Sequence, residues 1–310
     1  MLAVVGATAT GKSEYAVTLA ERLGGEIVSC DSMQVYRGMN IGTAKPTAEE
    51  MRGIPHHLID VAEPDEPFSV ADYVVAAEKA VRDVTARGKL PVFCGGTGLY
   101  LDRFLAGGLA EETETAPDLR EELFELAKKH GNGFLHAKLC EIDPESAAQI
   151  HPNNVRRVVR ALEIYKRTGI PKSEWDRRTR ETESPYEATV IGIERPREEL
   201  YRRIDERVDR MIAAGLAEET AALAARGVFD RNRTAAQAIG YKEILPYLRG
   251  ERSLAEAAET LKRATRHYAK RQMTWFRAKS YVRWVIELSI ARLPEYDNKI
   301  NFDFGFTASP

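Results

Sequence analysis

The feature that most constrains this chain is a glycine-rich segment near its amino terminus, Gly6-Ala7-Thr8-Ala9-Thr10-Gly11-Lys12-Ser13. It matches the pattern G-x-x-x-x-G-K-[ST] in the context that the pattern requires, because an apolar run at residues 2–5 precedes it and a helical pattern at 13–23 follows it. Glycines let backbone N–H groups turn inward around phosphate oxygens, and the following helix presents its positive end to the anion. Lys12 can neutralise phosphate charge, and Ser13 can bind Mg²⁺. We therefore predict that this segment, called the phosphate loop below, binds a diphosphate or triphosphate.

Strand and helix patterns alternate through the first third of the chain. Apolar runs at residues 2–5, 26–30, 58–61 and 90–94 predict strands, and apolar periodicity predicts helices over 13–23 and 70–87. Such alternation is typical of parallel strands in a doubly wound sheet. We predict an α/β fold of the P-loop NTPase type, in which a parallel sheet carries helices on both faces.

The pattern changes near residue 111, after which helices replace strands until about residue 186. A strand at 188–193 then returns to the sheet, and the remaining patterns predict helices over 196–214, 235–248 and 254–278 and a last strand over 281–288. We predict an α/β core formed by residues 1–110 and 187–310, mainly helical in its C-terminal part. Residues 111–186 form a helical insertion domain in this prediction.

Charge and composition limit the classes of partner. Basic and acidic residues nearly balance, at 45 against 47, which argues against a purely electrostatic nucleic-acid binder. The charges are nevertheless segregated, because seven Lys and Arg and no Asp or Glu lie between Lys262 and Lys279. No apolar run reaches the roughly 18 residues of a membrane span, and the cysteines form no CxxC pair. We expect a cytoplasmic monomer with no membrane partner and with a local basic face that can hold a polyanion.

Two further residues are candidates for chemistry at the phosphate site. In many NTPases a carboxylate after a second strand holds Mg²⁺ through water, but the run at 90–94 is followed by GGTG. Asp31 follows the strand at 26–30, and it should lie near the phosphate loop because parallel strands end at the same sheet edge. Asp31 could hold Mg²⁺, accept a proton or cap a turn. Arg207 borders the apolar stripe of the helix at 196–214, where it could face the site or pair with a glutamate.

Eight segments of the chain, taken in order, carry a specific set of motifs. They are the phosphate loop, Asp31-Ser32-Met33-Gln34-Val35-Tyr36, Gly42-Thr43-Ala44-Lys45-Pro46, Gly95-Gly96-Thr97-Gly98-Leu99-Tyr100, His151-Pro152-Asn153-Asn154, Arg160-Ala161-Leu162-Glu163, Gly240-Tyr241 and Lys270-Arg271-Gln272-Met273-Thr274-Trp275. Together they resemble the tRNA dimethylallyltransferases over most of the chain. The bacterial form is the closer match, because the chain carries no cysteine- and histidine-rich C-terminal finger. One departure is Ala7, where the family usually has proline.

The resemblance implies an activity, the transfer of a dimethylallyl group from dimethylallyl diphosphate to N6 of the adenosine 3′-adjacent to the anticodon in tRNA. By this resemblance, Thr10, Lys12 and Ser13 would hold the diphosphate and Mg²⁺. Asp31 would accept the N6 proton, bind Mg²⁺ or do both, and Arg207 would add positive charge beside the departing diphosphate. The insertion would hold the anticodon stem-loop. The implied tRNA contacts are Asp31, Ser32, Met33, Gln34, Thr97, Arg156, Arg157, Val158, Val159, Arg160, Ile239, Gly240, Tyr241, Lys242, Lys270, Arg271, Gln272, Trp275 and Arg277.

The residues by themselves are also compatible with other functions. A small-molecule kinase would share the phosphate loop, but the missing carboxylate after residues 90–94 and the basic C-terminal helix would have no explanation. A prenyltransferase acting on free adenine nucleotides would need no RNA contact, and a nucleotide-dependent RNA-binding module would need no turnover. The sequence assigns no role to His56 and His57.

Overall fold

The computed structural model describes residues 1–107, 116–181 and 184–285. The strands are β1 (Leu2–Gly6), β2 (Gly25–Cys30), β3 (His56–His57), β4 (Leu90–Gly95), β5 (Thr189–Ile193) and β6 (Val282–Val285). The α-helices are α1 (Lys12–Leu23), α2 (Ala48–Met51), α3 (Val70–Ala86), α4 (Gly98–Leu105), α5 (Pro117–His130), α6 (Asn132–Ile142), α7 (Pro144–Gln149), α8 (Val155–Thr168), α9 (Lys172–Glu181), α10 (Arg197–Ala213), α11 (Leu216–Ala225), α12 (Val228–Arg231), α13 (Tyr241–Leu248) and α14 (Leu254–Arg277).

The strands form one parallel sheet in the order β3-β2-β4-β1-β5-β6. The predicted α/β fold with a parallel sheet is therefore confirmed. β1 is buried along its whole length, as expected of a central strand covered on both faces. The chain passes from β1 through α1 to β2, whereas the chain that leaves β4 returns as β5 on the opposite side of β1. Connections that diverge in this way open a crevice at the carboxyl edge of the sheet.

The described chain divides into two compact units. One unit comprises residues 1–67 and 80–98 and the chain from Ala188 onward, and it contains the entire sheet. The other, called the helical unit below, comprises residues 68–79 and 99–187. Its core is formed by buried aliphatic side chains that include Leu123, Leu139 and Leu162. Each unit therefore has a hydrophobic core of its own.

A buried carboxylate organises part of the helical unit. Glu163 accepts hydrogen bonds from the backbone N–H of Ala116 at 2.8 Å, from Arg120 at 2.7 Å and from Arg160 at 2.9 Å. Burial alone raises the pKa of Glu163, but these donors outweigh burial and lower it. Glu163 is therefore charged, and it fixes two arginines on the surface of its unit.

Several elements differ from the sequence-based predictions, and the short helices α2, α4 and α12 were not predicted. The third strand, predicted at 58–61, is β3, which is shorter than predicted and lies before residue 58. Leu58 and Asp60 have positive φ of 63° and 55° and turn the chain, so the strand does not extend through them. The helix predicted at 235–248 is a 3₁₀ turn (Ala235–Gln237) followed by α13, separated at Gly240, which has φ 110°. Helix α11 was not predicted. The last strand is β6, and residues 286–288 of that prediction lie outside the described residues.

Candidate active site

A cavity of about 300 Å³ lies at the carboxyl edge of the sheet. The carboxyl ends of β1, β2 and β4 all meet there: Thr8 and Asp31, just after β1 and β2, and Gly95, the last residue of β4, line the cavity. Its charged lining includes Lys12, Asp31, Arg207, Lys242 and Arg271. The cavity thus brings the phosphate loop, Asp31 and Arg207 to one site.

The phosphate loop has a conformation that depends on glycine. Gly6 has φ 151°, and a Cβ at this position would lie 2.7 Å from the carbonyl oxygen of Ile193 on β5. Gly11 has φ 92° and is the N-cap residue that precedes helix α1. The hydroxyl of Thr10 donates to the carbonyl of Ala7 at 2.9 Å, and Nζ of Lys12 donates to the same carbonyl at 3.2 Å. Thr10 is therefore a buried brace inside the loop, whereas Lys12 lies at the cavity.

Three arginines hold the loop from the side of β5 and α10. Arg195 donates to the carbonyl of Thr10 at 2.7 Å, Arg203 to the carbonyl of Ala9 at 2.9 Å, and Arg207 to the hydroxyl of Thr8 at 3.1 Å. Of these, Arg207 lines the cavity. The sequence analysis missed Arg195 and Arg203, although the helical spacing of Arg203 and Arg207, four residues apart, was a usable signal.

The cations of the site are held in an environment that opposes their charge. Burial is the main cause that lowers the pKa of Lys12; Arg207 lowers it further, whereas Cys94 and Asp31 oppose the shift. Burial likewise lowers the pKa of Arg207, with Arg210 adding to the effect. Cations that are desolvated and close to each other favour an anionic ligand, because such a ligand restores their preferred charged state.

Gln272 connects the phosphate loop to the GGTG turn from within α14. Its Oε1 accepts from the backbone N–H of Thr8 at 2.8 Å, and its Nε2 donates to the carbonyl of Gly96 at 3.0 Å. A Cβ on Gly96 would lie 2.0 Å from Nε2, so glycine is required for this approach. The side chain of Gln272 is 5% exposed and lines the cavity, where it braces the phosphate loop; its tRNA contact stays a prediction.

Asp31 lies in the turn after β2, beside the GGTG turn. Its Oδ1 accepts from the backbone N–H groups of Met33 at 2.8 Å and Gln34 at 3.3 Å, so the capping role considered for this residue is present. Asp31 also lines the cavity together with Lys12 and Arg207. The hydroxyl of Thr97 accepts from the N–H of Ser32 at 3.1 Å, which ties the two turns together.

The two histidines that the sequence left unassigned have different surroundings. His56 lines the cavity, and its Nδ1 lies 2.8 Å from the carbonyl of Ile54. Burial lowers the pKa of His56, which keeps the ring neutral. His57 forms a 2.7 Å contact with Glu26, which also binds Arg87. His57 therefore belongs to a structural cluster, while His56 belongs to the cavity.

The other residues predicted to contact tRNA fall into exposed and buried groups. Ser32, Met33, Gln34, Ile239 and Lys242 line the cavity, and the exposed side chains are those of Arg156, Arg157, Lys270, Arg271, Trp275 and Arg277. Arg160 pairs with Glu163. Val158, Val159 and Tyr241 have buried side chains that pack inside the protein, and their tRNA contacts stay predictions.

Trp275 is the exposed aromatic residue of the basic α14 face. It is 36% exposed, and the ammonium of Lys279 lies 5.3 Å from its ring centroid. Its indole packs so closely on Gly98 that a Cβ there would lie 2.2 Å from Cδ1. Lys270, Arg271 and Trp275 line a shallow surface pocket, an arrangement that suits stacking of unpaired bases beside phosphates.

Two features are absent from residues 1–107, 116–181 and 184–285. There, no group of three or more His, Cys, Asp or Glu side chains is placed to hold a metal ion. In the same ranges, no helix combines the length and apolar character needed to cross a membrane.

Comparison with known proteins gives consistent results. The model of the family described as IPP transferase matches residues 34–279. A protein named tRNA dimethylallyltransferase from Geobacillus thermodenitrificans is 50% identical over 284 residues, which is 92% of this chain and 89% of that protein. The crystal structure of a tRNA isopentenylpyrophosphate transferase from Bacillus halodurans has a TM-score of 0.71 at 47% identity, covering 96% of this chain and 94% of that one. The structure of a eukaryotic dimethylallyltransferase acting on tRNA has a TM-score of 0.81 at 28% identity, covering 96% and 76% of the two chains.

Proposed function

Because the chain belongs to the IPP transferase family, we propose that it transfers a dimethylallyl group from dimethylallyl diphosphate to tRNA. The acceptor is the N6 amine of the adenosine 3′-adjacent to the anticodon, and diphosphate is released. The observation that carries this proposal is the single cavity lined by Lys12, Arg207 and Asp31. In this proposal Lys12 and Arg207 supply the cations for the leaving diphosphate, and Asp31 supplies the carboxylate that accepts a proton.

The leaving-group side of the reaction uses the phosphate loop. When the C1–O bond of the donor breaks, its electron pair stays on the diphosphate, and allylic cation character develops at C1. Lys12, Arg207 and the loop N–H groups stabilise this growing negative charge, since preorganised donors in a desolvated site act more strongly than water does. Arg195 and Arg203 hold the loop carbonyls from behind and so keep the N–H groups directed at the ligand.

The acceptor side uses Asp31. The N6 lone pair forms the new N–C1 bond while the N6 proton passes to the carboxylate, which prevents positive charge from accumulating on nitrogen. Oδ1 of Asp31 is held by the amides of Met33 and Gln34, so the carboxylate has a fixed orientation. An adenosine must leave its stack to reach such a cavity, as in other enzymes that modify a base.

The residues present fit a magnesium ion bound mainly by its substrate. Mg²⁺ is commonly held by one or two protein oxygens together with phosphate oxygens and water. Ser13 and Asp31 offer a hydroxyl and a carboxylate at the cavity, and no larger acidic cluster is present among the described residues. When bound, the ion neutralises part of the diphosphate charge.

The basic surfaces are assigned to tRNA. On α14, Lys270, Arg271 and Trp275 combine exposed cations with an exposed ring, which is the combination that binds phosphates and unpaired bases. In the helical unit, Arg156 and Arg157 are exposed at the start of α8. We assign the helical unit to the anticodon stem-loop.

The activity is tested with labelled dimethylallyl diphosphate and unmodified tRNA, with AMP as an alternative acceptor. Label in N6 of the tRNA adenosine supports the proposal. Label in AMP alone indicates an adenylate prenyltransferase, and phosphorylation of a metabolite with ATP indicates a kinase.

The variant Asp31→Asn tests the proton acceptor. Its amide oxygen can still accept from Met33 and Gln34, so the turn is preserved while the base is lost. We expect turnover to fall by about 10²–10⁴, with tRNA affinity retained. The control is Asp230→Asn, at an exposed position on α12. Full turnover in Asp31→Asn would contradict the assignment.

A further inference from the structure

A carboxylate that lies outside the cavity binds a backbone segment that lines it. Glu219 lies in the first turn of α11, and it is not among the residues that line the cavity in the described part of the chain. Its Oε2 accepts from the backbone N–H groups of Asn40 at 3.0 Å and Ile41 at 2.9 Å. Its Oε1 accepts from the N–H of Gly42 at 3.0 Å and from the hydroxyl of Tyr241 at 2.7 Å. One side chain thus satisfies three consecutive backbone donors and a buried phenol.

These contacts join two segments that are distant in sequence. Residues 40–46, called the wall loop below, supply Gly42, Thr43, Ala44 and Pro46 to the cavity, and residues 237–242 supply a second part of the lining. The ring of Tyr241 lies on Gly42 so closely that a Cβ there would be 2.5 Å from Cζ. Glu219 therefore fixes the distance between the two segments.

The wall loop is also connected to the turn that contains Asp31. Nε2 of Gln34 donates to the carbonyls of Thr43 at 3.3 Å and Ala44 at 3.2 Å. The backbone N–H of Gln34 donates to Oδ1 of Asp31 at 3.3 Å. A displacement of the wall loop is thus transmitted to the proton acceptor through one residue, Gln34.

The hydrogen bonds around Glu219 are directional. Burial raises the pKa of Tyr241, and the neighbouring Glu219 carboxylate raises it further, so the phenol stays protonated and donates. A glutamine in place of Glu219 would retain one oxygen but would turn an NH₂ group towards N–H donors. The carboxylate is therefore the side-chain group that accepts all four bonds.

We propose that Glu219 is a positioning residue that sets the acceptor side of the cavity, through the wall loop and Gln34. This inference rests on the proposed function, because the acceptor side is defined by the adenine that Asp31 deprotonates. Glu219 does not line the cavity, so its effect acts through these two segments. A displacement of about 1 Å in such a wall can lower turnover by about 10²-fold.

The test compares Glu219→Gln with Glu218→Gln, which changes the adjacent, exposed glutamate of the same helix turn. For Glu219→Gln we expect kcat/KM for tRNA to fall by about 10–10², with the KM for dimethylallyl diphosphate changed less than about two-fold. Glu218→Gln should match the wild type. Wild-type kinetics in Glu219→Gln, or an equal loss in both variants, would overturn the proposal, as would a loss expressed entirely in the donor KM.

Two further measurements test the proposal if Glu219→Gln folds poorly or if the proposed function fails. Tyr241→Phe removes only the phenol bond, and we expect a smaller loss in the same parameter; an unchanged kcat/KM for tRNA in Tyr241→Phe counts against the proposal. Amide hydrogen exchange needs no substrate: exchange at Asn40, Ile41 and Gly42 should be slow in the wild type and much faster in Glu219→Gln. If the wild type modifies no tRNA, the proposed function fails, while the exchange result still decides whether Glu219 holds the wall loop. Unchanged exchange at these amides in Glu219→Gln would show that Glu219 does not hold the wall loop.

Discussion

Replacement of Gln272 by leucine should loosen the phosphate loop from inside the protein. Leucine has a similar volume but neither accepts from the Thr8 N–H nor donates to the Gly96 carbonyl, which now bind Gln272 at 2.8 Å and 3.0 Å. Leaving a buried polar group without a partner costs about 1–3 kcal/mol. Two such groups therefore predict a loss of roughly 2–6 kcal/mol in the free energy of unfolding, a large share of the ~5–15 kcal/mol of a typical domain.

The matched variant Gln272→Glu distinguishes the effect of these two hydrogen bonds from the effect of side-chain volume. A protonated carboxyl group accepts at one oxygen and donates from the other, as the amide does, whereas the ionised form places an anion against the Gly96 carbonyl. Burial raises the pKa of such a carboxyl group in the folded state. The stability of this variant relative to wild type should thus fall as pH rises from about 4.3, the ordinary glutamate value, and level off above the raised pKa.

Denaturant unfolding across a pH series measures both effects, and inorganic pyrophosphate binding reports on the loop. We expect Gln272→Leu to be destabilised and to bind pyrophosphate more weakly at every pH. Gln272→Glu should approach the wild type only at low pH. A Gln272→Leu protein with wild-type stability and pyrophosphate affinity would refute the bracing role, as would a Gln272→Glu protein whose relative stability does not change with pH.

Two other residues of the site give predictions. Burial lowers the pKa of Lys12 below its ordinary 10.5, and a bound diphosphate favours its charged form, so pyrophosphate binding should take up a proton above the lowered pKa and weaken as pH rises through it. Calorimetry in buffers of different ionisation enthalpy measures this uptake, and Lys12→Met should abolish it; equal heats in all buffers would contradict it. Gly98→Ala should displace Trp275, whose Cδ1 would lie 2.2 Å from the new Cβ, and weaken tRNA binding by about 1–3 kcal/mol without affecting pyrophosphate. Its control is Gly133→Ala, which meets open space, and unchanged tRNA affinity in Gly98→Ala would exclude Trp275 as a contact.

Local sequence patterns were sufficient to predict the chemistry-bearing segments. The phosphate loop and Asp31 each follow an apolar run, and because parallel strands end at one edge of a sheet, Asp31 was predicted to lie near the loop; both line the same cavity. The prediction failed where hydrophobic periodicity is weak. Helix α11 is rich in alanine, a strong helix former, but it has little amphipathic contrast, so no apolar stripe marks it after the helix predicted to end at residue 214.

The class of site follows from neighbouring residues alone, because a glycine-rich turn between a strand and a helix specifies a phosphate cradle. The distant side chains that complete the site follow from the packing of the folded chain. Gln272 contacts Thr8 across 264 positions of the chain, and Glu219 contacts Ile41 across 178. No periodicity within a helix records such partners, since the partner of a buried polar group is chosen by the packing of whole elements against each other.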